Sequence, residues 1–316
     1  MRIFPIFITN QGCPFKCVYC NQKAITHDYK IDWEKIISDV NNFTNFNQCV
    51  SENEIAFFGG TFTALPENIQ QMYFDKFSEF LPKIRGFRLS TRPDCINDKI
   101  LQFLKKNKVS TIELGVQSLD DSVLKKSKRG YVSSKVISSS KLIKQYGFDL
   151  GIQLMPGLPG SSKKTILESA EKTSRIKPDF VRIYPTIVIK NTELENWYND
   201  GLFTPLTLDE AISISTEMIR LFDKKNIKVI KIGLHSEIEK EEIIIGPFHQ
   251  AFGELVKGEL LLDSIIKEYE KNNFFKIDKK DISLIVGHKK RLLNKIKKLL
   301  GQDKVKILID NVIKEI

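Results

Sequence analysis

Three cysteines crowd into eight positions, Cys13-Pro-Phe-Lys-Cys17-Val-Tyr-Cys20, while Cys49 and Cys95 stand alone. Five is an odd number and the spacing is tight, so the triad reads as metal ligands rather than part of a disulfide framework. Three thiolates on one short loop can hold three irons of a [4Fe–4S] cluster and leave the fourth iron open to a small chelating ligand. The same cysteines with His27 make a Cys₃His zinc set, and spacing alone does not separate the two. Cys49 and Cys95 read as small hydrophobes, not as a second cluster. A further chemical feature is Gly59-Gly60-Thr61-Phe62-Thr63. Its paired glycines let backbone approach a ligand, and its hydroxyls and amides offer polar contacts.

Groups so far apart in the chain need a scaffold to bring them together. Apolar β-rich runs alternate with helical patterns: Ile3–Thr9 then Trp33–Phe43, Glu54–Phe58 then Ile69–Leu81, Phe87–Thr91 then Asp98–Lys106, Thr111–Gly115 then Leu119–Lys126 and Ser134–Gln145. Leu150–Met155 then Lys163–Arg175, Phe180–Ile183 then Leu208–Lys225, and a strand at Lys228–Ile232 continue the pattern. The alternation predicts an α/β fold with a largely parallel sheet, a partial (β/α)6 TIM-like barrel. The cysteine loop follows the first strand and Gly59-Gly60 the second, which places both at the strand ends where such barrels carry chemistry.

After His235 the pattern changes to a helix over Ala251–Glu270, apolar runs around Phe274–Ile277 and Ile282–Val286, a helix over Lys289–Leu300 and a strand at Val305–Ile309. We expect a barrel over 1–235 and a small basic α+β C-terminal appendix over 236–316. Residues 279–316 hold eleven Lys and Arg against four Asp and Glu, much of the chain's formal charge of +10. The surplus suits a phosphate-contacting surface. The favoured reading is plainer, the solvated face of an amphipathic helix with Ile296, Leu299 and Leu300 inward.

At 316 residues, 28% charged and 41% hydrophobic, the composition excludes a small disulfide scaffold and a mainly disordered chain. The longest apolar runs fall far short of the roughly 20 residues that span a bilayer. No A-x-A-like cleavage site follows the N-terminus, so the expected location is cytoplasmic, away from membranes.

The C-x₃-C-x₂-C loop with the Gly-Gly motif resembles the radical S-adenosylmethionine (SAM) superfamily. Ser90-Thr-Arg-Pro-Asp94, Glu113-Leu-Gly-Val-Gln-Ser118, Gly151-Ile-Gln-Leu-Met-Pro-Gly-Leu-Pro-Gly160 and Arg182-Ile-Tyr-Pro-Thr-Ile-Val-Ile-Lys190 resemble, in order, the radical-SAM part of the Elongator catalytic subunit. Oxygen-independent coproporphyrinogen III oxidase is a more distant likeness. The resemblance covers about residues 1–250, including Gly246-Pro-Phe-His-Gln-Ala-Phe-Gly-Glu-Leu-Val256.

The resemblance implies that Cys13, Cys17 and Cys20 bind a [4Fe–4S] cluster whose open iron takes the amino and carboxylate groups of SAM. It implies that Tyr19 packs on the adenine, that Gly59, Gly60 and Thr61 meet the methionine amino group, and that Gln117, Arg129 and Gln153 contact the methionine and ribose portions. Thr91 belongs with the same group. Substrate contacts are expected at Tyr184, Lys190 and His235. The implied reaction is reductive cleavage of SAM to a 5′-deoxyadenosyl radical, with electrons from a donor such as flavodoxin or ferredoxin and a tRNA base as substrate. Two departures stand out. Only about 80 residues follow the barrel, so no counterpart of Elongator's acetyltransferase domain is expected, and Ser90 replaces the usual acidic residue before Thr-Arg-Pro. Two other readings compete: the same chemistry on a small molecule or peptide, and a zinc-stabilised nucleic-acid-binding module without catalysis.

Overall fold

The computed structural model describes residues 2–8, 12–21, 32–46, 49–234, 238–310 and 312–316; His27 and His235 lie outside the described residues. Its first half alternates β1 (Arg2–Phe7), α1 (Trp33–Phe46), β2 (Asn53–Phe58), α2 (Glu67–Lys76), β3 (Gly86–Thr91), α3 (Asp98–Lys106) and β4 (Val109–Gln117). Then come α4 (Asp121–Lys126), α5 (Ser133–Gln145), β5 (Asp149–Leu154), α6 (Lys163–Ile176) and β6 (Phe180–Ile183). Next follow β7 (Val188–Ile189), α7 (Glu193–Asn199), α8 (Leu208–Asp223), β8 (Lys228–Ile232) and β9 (Ile243–Ile245). Strands β1-β2-β3-β4-β5-β6-β8 form one parallel sheet in that order. This is the expected partial barrel, six β/α units and a seventh strand, curled and open between β1 and β8. The short antiparallel pair β7 and β9 was not expected from the sequence.

Local chemistry sets the helix starts. The Asn97 side chain accepts from the Ile100 amide to open α3, and reciprocal capping boxes at Ser162/Thr165 and Thr207/Glu210 open α6 and α8. The outer face of the sheet packs under the helices. Phe57 of β2 stacks on Phe62 with ring centroids 4.9 Å apart and meets Tyr73, Phe74 and Phe87 at 5.5–5.8 Å.

The inner face is different. Glu54, Arg88 and Glu113, alternate residues on β2, β3 and β4, point into the barrel with Arg182 of β6. Arg88 Nη1 lies 3.1 Å from Glu54 Oε2, Arg88 Nε donates to Glu113 Oε1 at 2.5 Å, and Arg182 Nε sits 3.0 Å from Glu113 Oε2. Ser110 and Thr111 hydroxyls donate to Glu54 Oε1 at 2.7 and 2.5 Å. The Arg88 guanidinium lies over the Phe180 ring at 4.4 Å.

The appendix adds α9 (Phe252–Asn272), β10 (Phe275–Lys276), α10 (Ile282–Leu300), β11 (Lys306–Ile309) and β12 (Val312–Glu315), with β10-β11-β12 as a small mixed sheet. Phe252, Leu255 and Val256 in the first turns of α9 belong to the barrel core. Leu262, Ile265 and Tyr269 further along join Phe275, Ile296 and Ile307 in a second core, so α9 bridges the two. The apolar run Ile282–Val286 opens α10. Ile296 is buried as expected, whereas Leu299 is 57% exposed, because Leu292, Leu293 and Ile296 define the inward stripe and Leu299 falls outside it.

Arg88→Met should expose the cost of the inner network. It leaves the buried Glu54 and Glu113 carboxylates short of a cation, and the expected destabilisation is about 3–5 kcal/mol, read by urea unfolding; a loss under about 1 kcal/mol would contradict this account.

Candidate active site

The loops that leave the C-terminal ends of the parallel strands surround one cavity of about 850 Å³. Cys13, Cys17, Cys20 and Tyr19 line it from the first loop, Gly59, Gly60 and Thr61 from the second, and Ser90 and Thr91 from the third. Gln117, Arg129, Gln153 and Tyr184 complete the expected set. Lys190 is the exception. Ile187, Ile189 and Asn191 line the cavity and Lys190 does not. Its backbone N–H donates to the Glu242 carbonyl at 2.9 Å where the chain runs beside the start of β9, and the alternation of this extended segment takes its side chain off the lining face.

The cysteine loop is tied to the barrel at several points. The Val18 amide donates to the Ser127 carbonyl at 3.4 Å, the Leu194 amide to the Val18 carbonyl at 2.8 Å, and Thr61 Oγ1 to Cys13 Sγ at 3.4 Å. Phe15 lies under the Arg92 guanidinium at 4.7 Å. Arg92 is held by a bidentate pair with Asp94, both contacts 2.9 Å, and donates to the Arg129 carbonyl. The Phe15 ring also meets Gly130, where φ is +76° and an added Cβ would stand 2.5 Å from the ring. Only glycine combines that backbone with that contact.

Arg129 is buried, and its N–H groups are all directed at protein acceptors. Nη1 donates to Cys17 Sγ at 3.2 Å and to Tyr19 Oη at 3.1 Å, and Nε donates to Tyr131 Oη at 3.0 Å. Nη2 donates to Tyr131 Oη at 2.8 Å and to the Gly115 carbonyl. Burial opposes its charge, but Tyr131, Tyr19 and Cys17 outweigh burial and hold its pKa well above the usual value. Burial, then the neighbouring Cys17 and Cys13 sulfurs, push the Cys20 thiol up to about 12.

The remaining polar groups have defined hydrogen-bonding roles. Thr63 gives its proton to the Cys95 carbonyl at 2.8 Å, so its 2.6 Å contact with Thr91 uses the Thr91 proton and leaves Thr91 as an acceptor toward the cavity. Gln117, at φ +70° beside a bulge in β4, accepts from Gln153 Nε2 at 3.2 Å. Cys95 is part-buried with its thiol pushed to about 11 by burial and by Asp94, whereas Cys49 is exposed, against expectation. The sequence reading passed over Arg92, Tyr131, Glu113 and Arg182 as functional residues. Arg92, Glu113 and Arg182 lie in quoted motifs and Tyr131 two residues after Arg129, but the contacts that tie Arg92 to Phe15, Tyr131 to Gly115 and Glu113 to Arg88 and Arg182 join segments distant in sequence.

Residues 7–173 match the profile of the Radical SAM superfamily, and residues 178–261 that of the Radical SAM C-terminal domain. The chain belongs to the radical SAM superfamily. Among its relatives, the tRNA uridine(34) acetyltransferase of Methanocaldococcus infernus is 36% identical over 129 residues, 40% of this chain and 24% of that protein. The chain spans about a quarter of the length of the first curated relatives it matches. In fold it is similar to the archaeal Methanocaldococcus infernus Elp3 (TM-score 0.66, 22% identity, 85% of this chain and 67% of that one). It is also similar to coproporphyrinogen III oxidase (HemN) from Escherichia coli (TM-score 0.52, 15% identity, 71% and 52%). Among the described residues no helix is long and apolar enough to cross a membrane.

A radical SAM enzyme needs SAM and an iron–sulfur cluster in general, and the residues here fit that pair. The donor set is three soft sulfurs carried on one short loop, the ligand type that suits an iron–sulfur cluster. Among the described residues no three His, Cys, Asp or Glu side chains gather around a single ion-sized point. The thiols instead stand around a cavity that continues past them to amides and hydroxyls.

Two outcomes follow. Gly130→Ala should displace Phe15 and loosen the loop, so that iron is lost to a chelator about tenfold or more faster while circular dichroism is unchanged; wild-type retention would show that Phe15 is no anchor. In metal-free protein at pH 8 the Cys20 thiol, pushed up to about 12 by burial, stays protonated, so iodoacetamide should modify it far more slowly than the exposed Cys49, as read by peptide mass spectrometry.

Proposed function

We propose that Cys13, Cys17 and Cys20 hold a [4Fe–4S] cluster with SAM on its open iron, and that the enzyme acts on a base of tRNA, taking electrons from a flavodoxin or ferredoxin. One observation carries the reading: the three thiols, the Gly59–Thr61 turn and the Gln117, Arg129 and Gln153 side chains face the same cavity. At about 850 Å³ it sits toward the upper end of the roughly 300–1,000 Å³ usual for ligand pockets. The tRNA substrate draws on the relatives named tRNA uridine(34) acetyltransferase, and the proposal takes from them the substrate class, not the acetyl transfer.

Held by Cys13, Cys17 and Cys20, a cluster with SAM would supply one-electron reductive chemistry leading to hydrogen-atom abstraction from the substrate. The chain's own residues bind and orient. Thr91 and the Gly59–Thr61 turn offer acceptors to the methionine ammonium, and the Gln117 and Gln153 amides suit ribose hydroxyls. Tyr19 forms the adenine wall. The Arg129 guanidinium lies against Cys17 Sγ, where its charge offsets that of the thiolate. Phe7, Phe58, Ile187, Ile189 and Leu234 add apolar surface to the lining, which limits the water that can stand beside the reacting atoms. Tyr184 stands on the substrate side.

The test is anaerobic reconstitution with iron and sulfide, reduction with dithionite, addition of SAM with and without tRNA, and chromatography of 5′-deoxyadenosine beside Cys17→Ala. The expected result is product from the wild type and a loss of at least about 100-fold in the variant. A protein that takes up only zinc and shows no spectral change with SAM would overturn the reading.

A further inference from the structure

The floor of the cavity near β6 holds polar side chains that the cluster and SAM leave unassigned. Arg182 is 9% exposed and lines the cavity. Its Nε lies 3.0 Å from Glu113 Oε2, its Nη1 donates to Tyr184 Oη at 3.1 Å, and its guanidinium covers the Phe58 ring at 5.1 Å. Among the described residues nothing accepts a hydrogen bond from Arg182 Nη2. Tyr184 is 7% exposed, and among the described residues nothing accepts its hydroxyl proton either. Because Tyr184 Oη already accepts from Arg182, its proton is the part left to face the cavity. Burial, assisted by Glu113 and opposed by Arg182, raises its pKa and keeps that proton in place.

Glu113 holds this arrangement still. Its second oxygen takes Arg88 Nε at 2.5 Å, and Arg88 is fixed in turn by Glu54 at 3.1 Å. Three guanidiniums, Arg85, Arg88 and Arg182, face three carboxylates, Glu54, Glu113 and Asp149, in this network, so its charge is balanced and an anion gains little there. Two fixed donors on balanced charge match a neutral oxygen acceptor.

We propose that Arg182 Nη2 and Tyr184 Oη form a two-donor subsite for a carbonyl oxygen on the substrate, with Glu113 as its positioning residue. The proposal rests on the reading of an RNA base as substrate and sharpens it. A base edge carrying a carbonyl satisfies both donors. An edge carrying an amino group sets donor against donor and leaves buried groups unpaired. The subsite therefore selects a keto edge, as in uracil, over the amino edge of cytosine.

The experiment measures binding of two synthetic RNA hairpins, identical except for uracil or cytosine at one loop position, to reconstituted, SAM-loaded protein by fluorescence anisotropy. Wild type should prefer the uracil hairpin by about tenfold. Tyr184→Phe should cut the preference to about threefold or less by weakening uracil binding while leaving cytosine binding unchanged. Arg182→Lys, which keeps the charge beside Glu113 but loses the planar fork, and Glu113→Gln should do the same. Circular dichroism identifies a variant that fails to fold, and the other variants then decide. Equal binding of both hairpins by the wild type, or an undiminished preference in Tyr184→Phe, overturns the subsite and leaves the RNA reading standing. No binding of either hairpin by the wild type removes both.

Discussion

Charge buried inside a parallel barrel is the constraint on which the rest of this structure depends. Removing a carboxylate or guanidinium from water costs several kcal/mol even after relaxation, and here Glu54 and Arg88 are completely buried and Glu113 nearly so. The cost is offset only because each ion meets an opposite ion and the spare carboxylate lone pairs meet hydroxyls. That condition fixes geometry. A one-residue slip of β3 against β2 or β4 would turn Arg88 to the outer face, among the phenylalanines, and strand both carboxylates. The network therefore pins the register of β2, β3, β4 and β6 and gives the loops at their ends a common rigid base.

From that base the rim is assembled by anchors rather than by the cysteines themselves. Phe15, itself partly exposed, touches the Arg92 guanidinium and Gly130, and Arg92 is held by Asp94. A loop held in this way does not have to be ordered when a metal arrives, so less of the metal's binding energy is spent on conformational entropy. Arg129 serves the same end. With its N–H groups engaged by Cys17, Tyr19, Tyr131 and Gly115, it acts first on the protein and only then on a ligand in the cavity.

What was legible in the sequence is what short spacing encodes. The C-x₃-C-x₂-C loop, the Gly-Gly turn and the alternation of strand and helix each fit within a dozen or so residues, and the barrel and most cavity residues follow from them. Arg88, Glu113 and Arg182 were not legible as partners, because a charged residue at every second strand position looks the same whether its face meets water or another charge. Pairing across 25 and 34 residues for Arg88, and further still between Arg182 and Glu113, leaves no periodic trace. Lys190 failed for a related reason. Its motif placed the backbone correctly, but the alternation set by β7 turned its neighbours to the cavity instead. The Ile282–Val286 run could not be told from a strand, since a short apolar run fits either element.

The basic appendix shows how charge should be weighed against geometry in assigning the partner. Arg291 pairs with Asp209, Lys295 with Glu259, Lys304 with Glu315, and Lys279 and Lys280 lie near Asp310 and Asp278. Five of the eleven basic side chains in this stretch are thus paired with carboxylates of the same chain, mostly at exposed positions where such pairs contribute little. Net charge alone therefore does not select RNA. The cavity offers the more discriminating chemistry, with sulfurs and amides gathered at one end and fixed donors on balanced charge at the other. A ligand that satisfies both ends must bring a chelating group to the first and a neutral acceptor to the second. The pair proposed above, SAM and a carbonyl-bearing base side by side, would meet that requirement.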